Sequence, residues 1–142
     1  MRFSIFILAL LLGQSAHSQQ LIDWKILEST TYEYTPRPDQ FDFEGAPVFP
    51  DQVKALDGKK VRIKGYLIPL DVDGWDWALS AFPFSSCFFC GGAGKESVMS
   101  LQVKKPLSLS ADEVREFVGI LRLQTDPDGL TFVLEQAKLV SN

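Results

Sequence analysis

The chain has 142 residues, 46% of them hydrophobic and 12% aromatic, which suffices for one core and therefore one domain. Its formal net charge of -4 works against nucleic-acid binding, because that binding rests on cations neutralising phosphates. The single histidine, His17, falls within an expected leader, so the mature chain has no imidazole and serine–histidine or cysteine–histidine catalysis is excluded.

Residues 1–18 read as a signal peptide. Arg2 precedes an apolar run over residues 5–12, and Ala16 and Ser18 supply small side chains at the minus-three and minus-one positions of a cut before Gln19. The run is far shorter than the ~20 residues a bilayer-spanning helix needs, so no transmembrane segment is expected in the mature chain. The expected address is periplasmic or secreted.

Residues 19–56 are expected to form an N-terminal strand and extended arm. A short apolar patch at Leu21, Ile22, Trp24, Ile26 and Leu27 is followed by Pro36, Pro38, Pro47 and Pro50 among aromatics that include Phe41 and Phe43. Prolines this closely spaced prevent long helices and central strands. One helical turn is expected over 50–56, ended by Asp57-Gly58.

Residues 57–142 carry the barrel. A long β-rich run over 59–71 has Gly65 in its middle, the mark of a bulge or bend that lets one strand serve two sheets. A second strand is expected over 75–82, closed by Pro83, and a third over 97–104, where Val98, Ser100 and Gln102 alternate with Met99, Leu101 and Val103. Ser110-Ala111-Asp112-Glu113 reads as a capping box, with Val114, Phe117, Val118 and Leu121 following at helical spacing, which predicts a short helix. A fourth strand over 119–123, a turn at Asp126-Pro127-Asp128-Gly129 and a last strand over 130–140 complete the chain. The order predicts a mainly β fold: an OB-like five-stranded Greek-key barrel with one short helix between strands 3 and 4, plus the N-terminal arm.

The stretch Ala55-Leu56-Asp57-Gly58-Lys59-Lys60-Val61-Arg62-Ile63-Lys64-Gly65-Tyr66-Leu67-Ile68-Pro69-Leu70, followed by a cysteine at Cys87, resembles a family of uncharacterised secreted bacterial OB-like domains of unknown function. The resemblance implies an OB-like fold and an association with envelope transport or metal handling. In the family pattern the cysteine is followed two residues later by histidine and then prolines. Phe89 and the glycines at 91, 92 and 94 stand at those places in this chain, so a metal would have to be held through Cys87 and Cys90.

Cys87-Phe88-Phe89-Cys90 contains the only two cysteines. In an oxidising compartment the pair reads as a disulfide or redox pair, with Cys87 as attacking and Cys90 as resolving thiol. It also reads as half of a zinc site, with Asp71, Asp73, Asp76 or Glu96 or the same pair from another subunit as further ligands, or as a soft pair that holds copper(I) with fewer ligands. Inert packing is the third reading. Trp75, Phe84, Phe88 and Phe89 are the candidate partner surface, since adjacent aromatics in a short loop cannot both point inward. The leading functional expectation is an exported, non-enzymatic binding module whose loop over 82–94 contacts an envelope protein, a small ligand or a metal, with no nucleic-acid partner. The alternative is a small periplasmic thiol–disulfide oxidoreductase.

Overall fold

The computed structural model describes residues 18–34, 45–126 and 129–141. The expected leader lies outside them except for Ser18, as do Pro36, Pro38, Phe41 and Phe43 of the arm and Pro127 and Asp128 of the last turn. The elements in chain order are β1 (Gln20–Leu21), α1 (Trp24–Leu27), β2 (Thr31–Glu33), β3 (Ala46–Val48), α2 (Asp51–Lys54), β4 (Lys60–Pro69), β5 (Asp76–Ser80), β6 (Val98–Val103), β7 (Val114–Leu123) and β8 (Phe132–Leu139).

Five strands close on themselves in the order β4-β5-β6-β8-β7, with β7 returning to β4. β6 and β8 run parallel and the other neighbours run antiparallel, the pairing of an OB-like barrel. Val61, Ile63 and Leu67 of β4 point inward with Trp77, Leu79, Met99, Leu101, Phe117, Leu121, Phe132 and Leu134, and these form the main core. The period-two alternation of each strand puts them there.

β4 is the strand on which closure turns. Its residues Lys60 to Tyr66 pair with β7 on one side, and Tyr66 to Pro69 pair with β5 on the other. Gly65 sits at that changeover. A Cβ there would meet the Ser80 carbonyl oxygen at 2.6 Å and Leu79 Cγ at 2.9 Å. The expected strand that serves two partners is therefore present, and its glycine is required by close approach. The half of β4 that β5 leaves open is covered by the N-terminal segment: β1 pairs with it in parallel, Ile22 N–H donates to the Arg62 carbonyl at 3.0 Å, and Trp24 Nε1 donates to the Lys64 carbonyl at 2.8 Å. Those bonds satisfy edge groups that would otherwise face water.

β8 carries the second irregularity. Its register shifts between Val118 and Ile120 of β7, and Gln136 takes a left-handed φ of 52°, so one extra residue bulges opposite Gly119. A Cβ on Gly119 would lie 2.6 Å from the Glu135 carbonyl oxygen.

The short helix expected between the third and fourth barrel strands is absent. Glu113 Oε1 does accept from the Ser110 N–H at 2.8 Å, so half of the capping box forms. The residues after it are β7 instead, ten residues long from Val114. Phe117, Gly119 and Leu121 are buried at every second position, β-branched Val114, Val118 and Ile120 favour the strand, and a two-turn helix interrupted by glycine is too short to compete with a ladder along β4. The helical contribution to the core comes from the N-terminal side, where Leu27 of α1, Val53 of α2 and Leu56 join the main cluster. The single helical turn expected over 50–56 is α2.

β2 and β3 form a separate antiparallel ribbon, Thr31 opposite Val48. Tyr32 ties it to the barrel by sharing a 2.9 Å hydrogen bond with Thr131, and burial pushes the Tyr32 phenol up to about 12. No helix among the described residues is long and apolar enough to cross a membrane.

Gly119→Ala is expected to lower unfolding stability by about 1–3 kcal/mol, the usual cost of forcing atoms into a filled core. Urea denaturation checks it, and an unchanged midpoint would mean that the β7–β8 contact yields freely.

Candidate functional site

The segment between β5 and β6 is the cysteine loop. Pro83 presets the first of three short 3-10 turns, at Phe84–Ser86, Phe88–Cys90 and Lys95–Ser97. Cys87 between the first two is extended, with φ -83° and ψ 177°, and Gly91 after the second is left-handed, with φ 73°. The Cys87 carbonyl accepts from Cys90 N–H at 3.2 Å and Gly92 N–H at 3.0 Å. A Cβ on Gly92 would lie 2.5 Å from the Ser86 carbonyl oxygen, so the loop folds this tightly only with glycine there. The glycines that follow the cysteines thus have a backbone role.

The loop lies back over the barrel. Ile68, Ala78 and Val98 point outward from β4, β5 and β6, yet all three are buried, and they cluster with Cys87 under Phe88 and Leu130. Cys87 is 0% exposed because this apolar patch covers it. Phe88 is half-buried against the same cluster, whereas Phe82, Phe84 and Phe89 are 40%, 47% and 42% exposed. Phe88 and Phe89 meet edge to face with centroids 5.4 Å apart. Adjacent loop aromatics are therefore divided, Phe88 as anchor and Phe89 at the surface.

Trp75 is 50% exposed just before β5, and the loop that carries Phe84, Phe88 and Phe89 follows that strand. The residue that sequence reading missed is Asp112. Its left-handed φ of 61° turns the β6–β7 connection, its N–H donates to the Leu67 carbonyl at 2.9 Å, and its Oδ1 accepts from Phe84 N–H at 2.7 Å. Asp112 pins the cysteine loop to the barrel from 28 residues away in sequence. The Asp at the third place of the capping box was its only signal.

Both cysteines are free thiols. The expected disulfide is not formed, although the Cys90 N–H bond to the Cys87 carbonyl holds the two residues on one turn. Loss of hydration pushes the exposed Cys90 thiol up, and the neighbouring Cys87 and Asp112 push it the same way. Among the described residues no three or more of His, Cys, Asp and Glu come together as a metal set. Asp71, the first expected helper, accepts from Gly74 and Trp75 N–H groups at 2.9 and 3.2 Å, and with Asp73 it lines a separate groove of about 610 Å³ beside Trp77 and Leu107.

No family model and no curated protein matches the chain. Among solved structures it is similar to the crystal structure of a DUF3299 family protein from Pseudomonas aeruginosa PAO1, with a TM-score of 0.52 and 14% identity over 88% of this chain and 98% of that one. A structural neighbour of the barrel is thus a member of an uncharacterised domain-of-unknown-function family, and at this identity the likeness concerns the fold.

Two outcomes follow from the geometry. Asp112→Ala removes a charged acceptor and strains a left-handed position, so amide exchange at Phe84 should accelerate with about 1–2 kcal/mol lost, while Asp112→Asn, which keeps an acceptor and tolerates that backbone, should stay near wild type. Because the folded Cys90 thiol favours its neutral form, alkylation by iodoacetamide should titrate at higher pH in the folded chain than in urea. A folded midpoint at or below the denatured one contradicts that environment.

Proposed function

We propose that the chain is an exported, non-enzymatic OB-like binding module that uses the cysteine loop over 82–94 to contact a partner in the cell envelope. The supporting observation is the division of the loop. Cys87 and Phe88 anchor it on the outer face of β4, β5 and β6, Asp112 ties it from the other side, and Phe84 and Phe89 are held toward solvent. Exposed aromatics on a positioned loop are a common form of contact surface, since they offer large area at small entropic cost. The leader pattern over residues 1–18 supports the exported address.

The oxidoreductase reading is less favoured. Exchange needs an accessible, low-pKa attacking thiolate. Here the first cysteine is fully buried and the exposed second one is pushed toward its neutral form. That is the opposite of the order the mechanism requires.

Photo-cross-linking residues introduced singly at Phe84 and Phe89 are expected to give one discrete adduct in the envelope of the source cell, with none from Val72, which is 100% exposed in the β4–β5 turn. Equal labelling from Val72, or no adduct at either phenylalanine, would count against the loop as the contact surface. Mass spectrometry of the exported protein should show it beginning at Gln19.

A further inference from the structure

Deepening the contact reading above, we propose that Cys87 and Cys90 form a two-coordinate thiolate site for one copper(I) ion. The backbone is arranged for it. An extended Cys87, a single 3-10 turn over Phe88–Cys90 and a left-handed Gly91 fold the chain back on itself, with the Cys90 N–H donating to the Cys87 carbonyl at 3.2 Å, so that two free thiols stand on one tight turn. Neither half of this arrangement is incidental. Cys87 is locked by Ile68, Ala78, Val98 and Phe88, and the return of the chain after Cys90 depends on the missing side chain of Gly92.

The donor set selects the ion. Zinc in a structural site takes four ligands, and among the described residues no third His, Cys, Asp or Glu joins the pair as a metal set. Calcium and magnesium require oxygen ligands. Copper(I) is soft, prefers thiolates, and is satisfied by two of them in a near-linear arrangement. The apolar wall behind Cys87 favours this low coordination number, because it keeps water and carboxylates off one side of the site, while the exposed Cys90 leaves a path of entry. Binding exchanges protons for metal: two thiols and one copper(I) ion give a bis-thiolate complex of charge -1 and two released protons, with no change of oxidation state.

The test uses the exported full chain, reduced and kept free of oxygen, titrated with copper(I) against a coloured copper(I) chelator, and separately with zinc against a zinc indicator. The expected result is one copper per chain withdrawn from the chelator, with the chain remaining at its metal-free size, and no stoichiometric zinc. Cys90→Ser, a change at the surface that leaves the barrel core untouched, should abolish this retention with unchanged circular dichroism; Cys87→Ala should do the same where it folds. Copper retained by Cys90→Ser, failure of the wild type to compete with the chelator, or one zinc per two chains with dimerisation would each overturn the assignment. If the Phe84 and Phe89 adducts persist while the wild type holds no copper, the contact reading stands without the metal. If both fail, the contact reading falls as well.

Discussion

Closure of this barrel depends on two places where a side chain is missing. At Gly65, β4 exchanges β7 for β5 as its partner, and the Ser80 carbonyl occupies the space a Cβ would need. At Gly119, β7 passes the bulge of β8, and the Glu135 carbonyl does the same. At both places the neighbouring backbone comes too close for a side chain, and glycine permits the approach at the cost of extra backbone entropy on folding. Once those approaches are made, the inward residues of all five strands meet in one cluster, and the N-terminal segment has a definite edge to cover along the first half of β4.

Closure also creates the setting of the cysteine loop. The barrel has a polar outer surface over much of β4 and β7, where Arg62 and Glu116 pair at 2.6 Å, but the outer face of β4, β5 and β6 presents Ile68, Ala78 and Val98. An apolar patch on the outside of a small barrel must be covered or used. The loop between β5 and β6 covers it with Cys87 and Phe88, so the surface of the barrel that faces outward there is carried by Phe84 and Phe89 instead. Burial of one cysteine and exposure of the other follow from this packing.

The sequence was most legible where local pattern and long-range pairing agree. The strands β4, β5, β6 and β8 follow from alternation and from Gly65, Pro83 and the turn around Asp126 and Gly129, where the Gly129 N–H donates to the Asp126 carbonyl at 3.3 Å. The strand expected over 119–123 is the second half of β7; its first half reads as helix because Val114, Phe117, Val118 and Leu121 satisfy helical spacing while Phe117, Gly119 and Leu121 satisfy strand spacing, and only the ladder to β4 decides between them. The same limit applies at the site. The Cys-x-x-Cys spacing was visible, but the burial of Cys87 depends on residues from three strands, and the bond from Phe84 to Asp112 spans two loops.

What the pair of thiols can do is set by the order of burial, not by the motif. A dithiol acts as an exchange catalyst when the accessible sulfur is the more acidic one, because the thiolate is the attacking species and must reach its substrate. In this loop the accessible sulfur is held toward its neutral form, and the other is shut behind Ile68, Ala78 and Val98. Neither condition impedes a soft ion that bridges the two. A metal supplies the positive charge that the loop lacks, displaces both protons and needs access from one side only, so the burial that disfavours catalysis by Cys87 is compatible with Cys87 as a ligand.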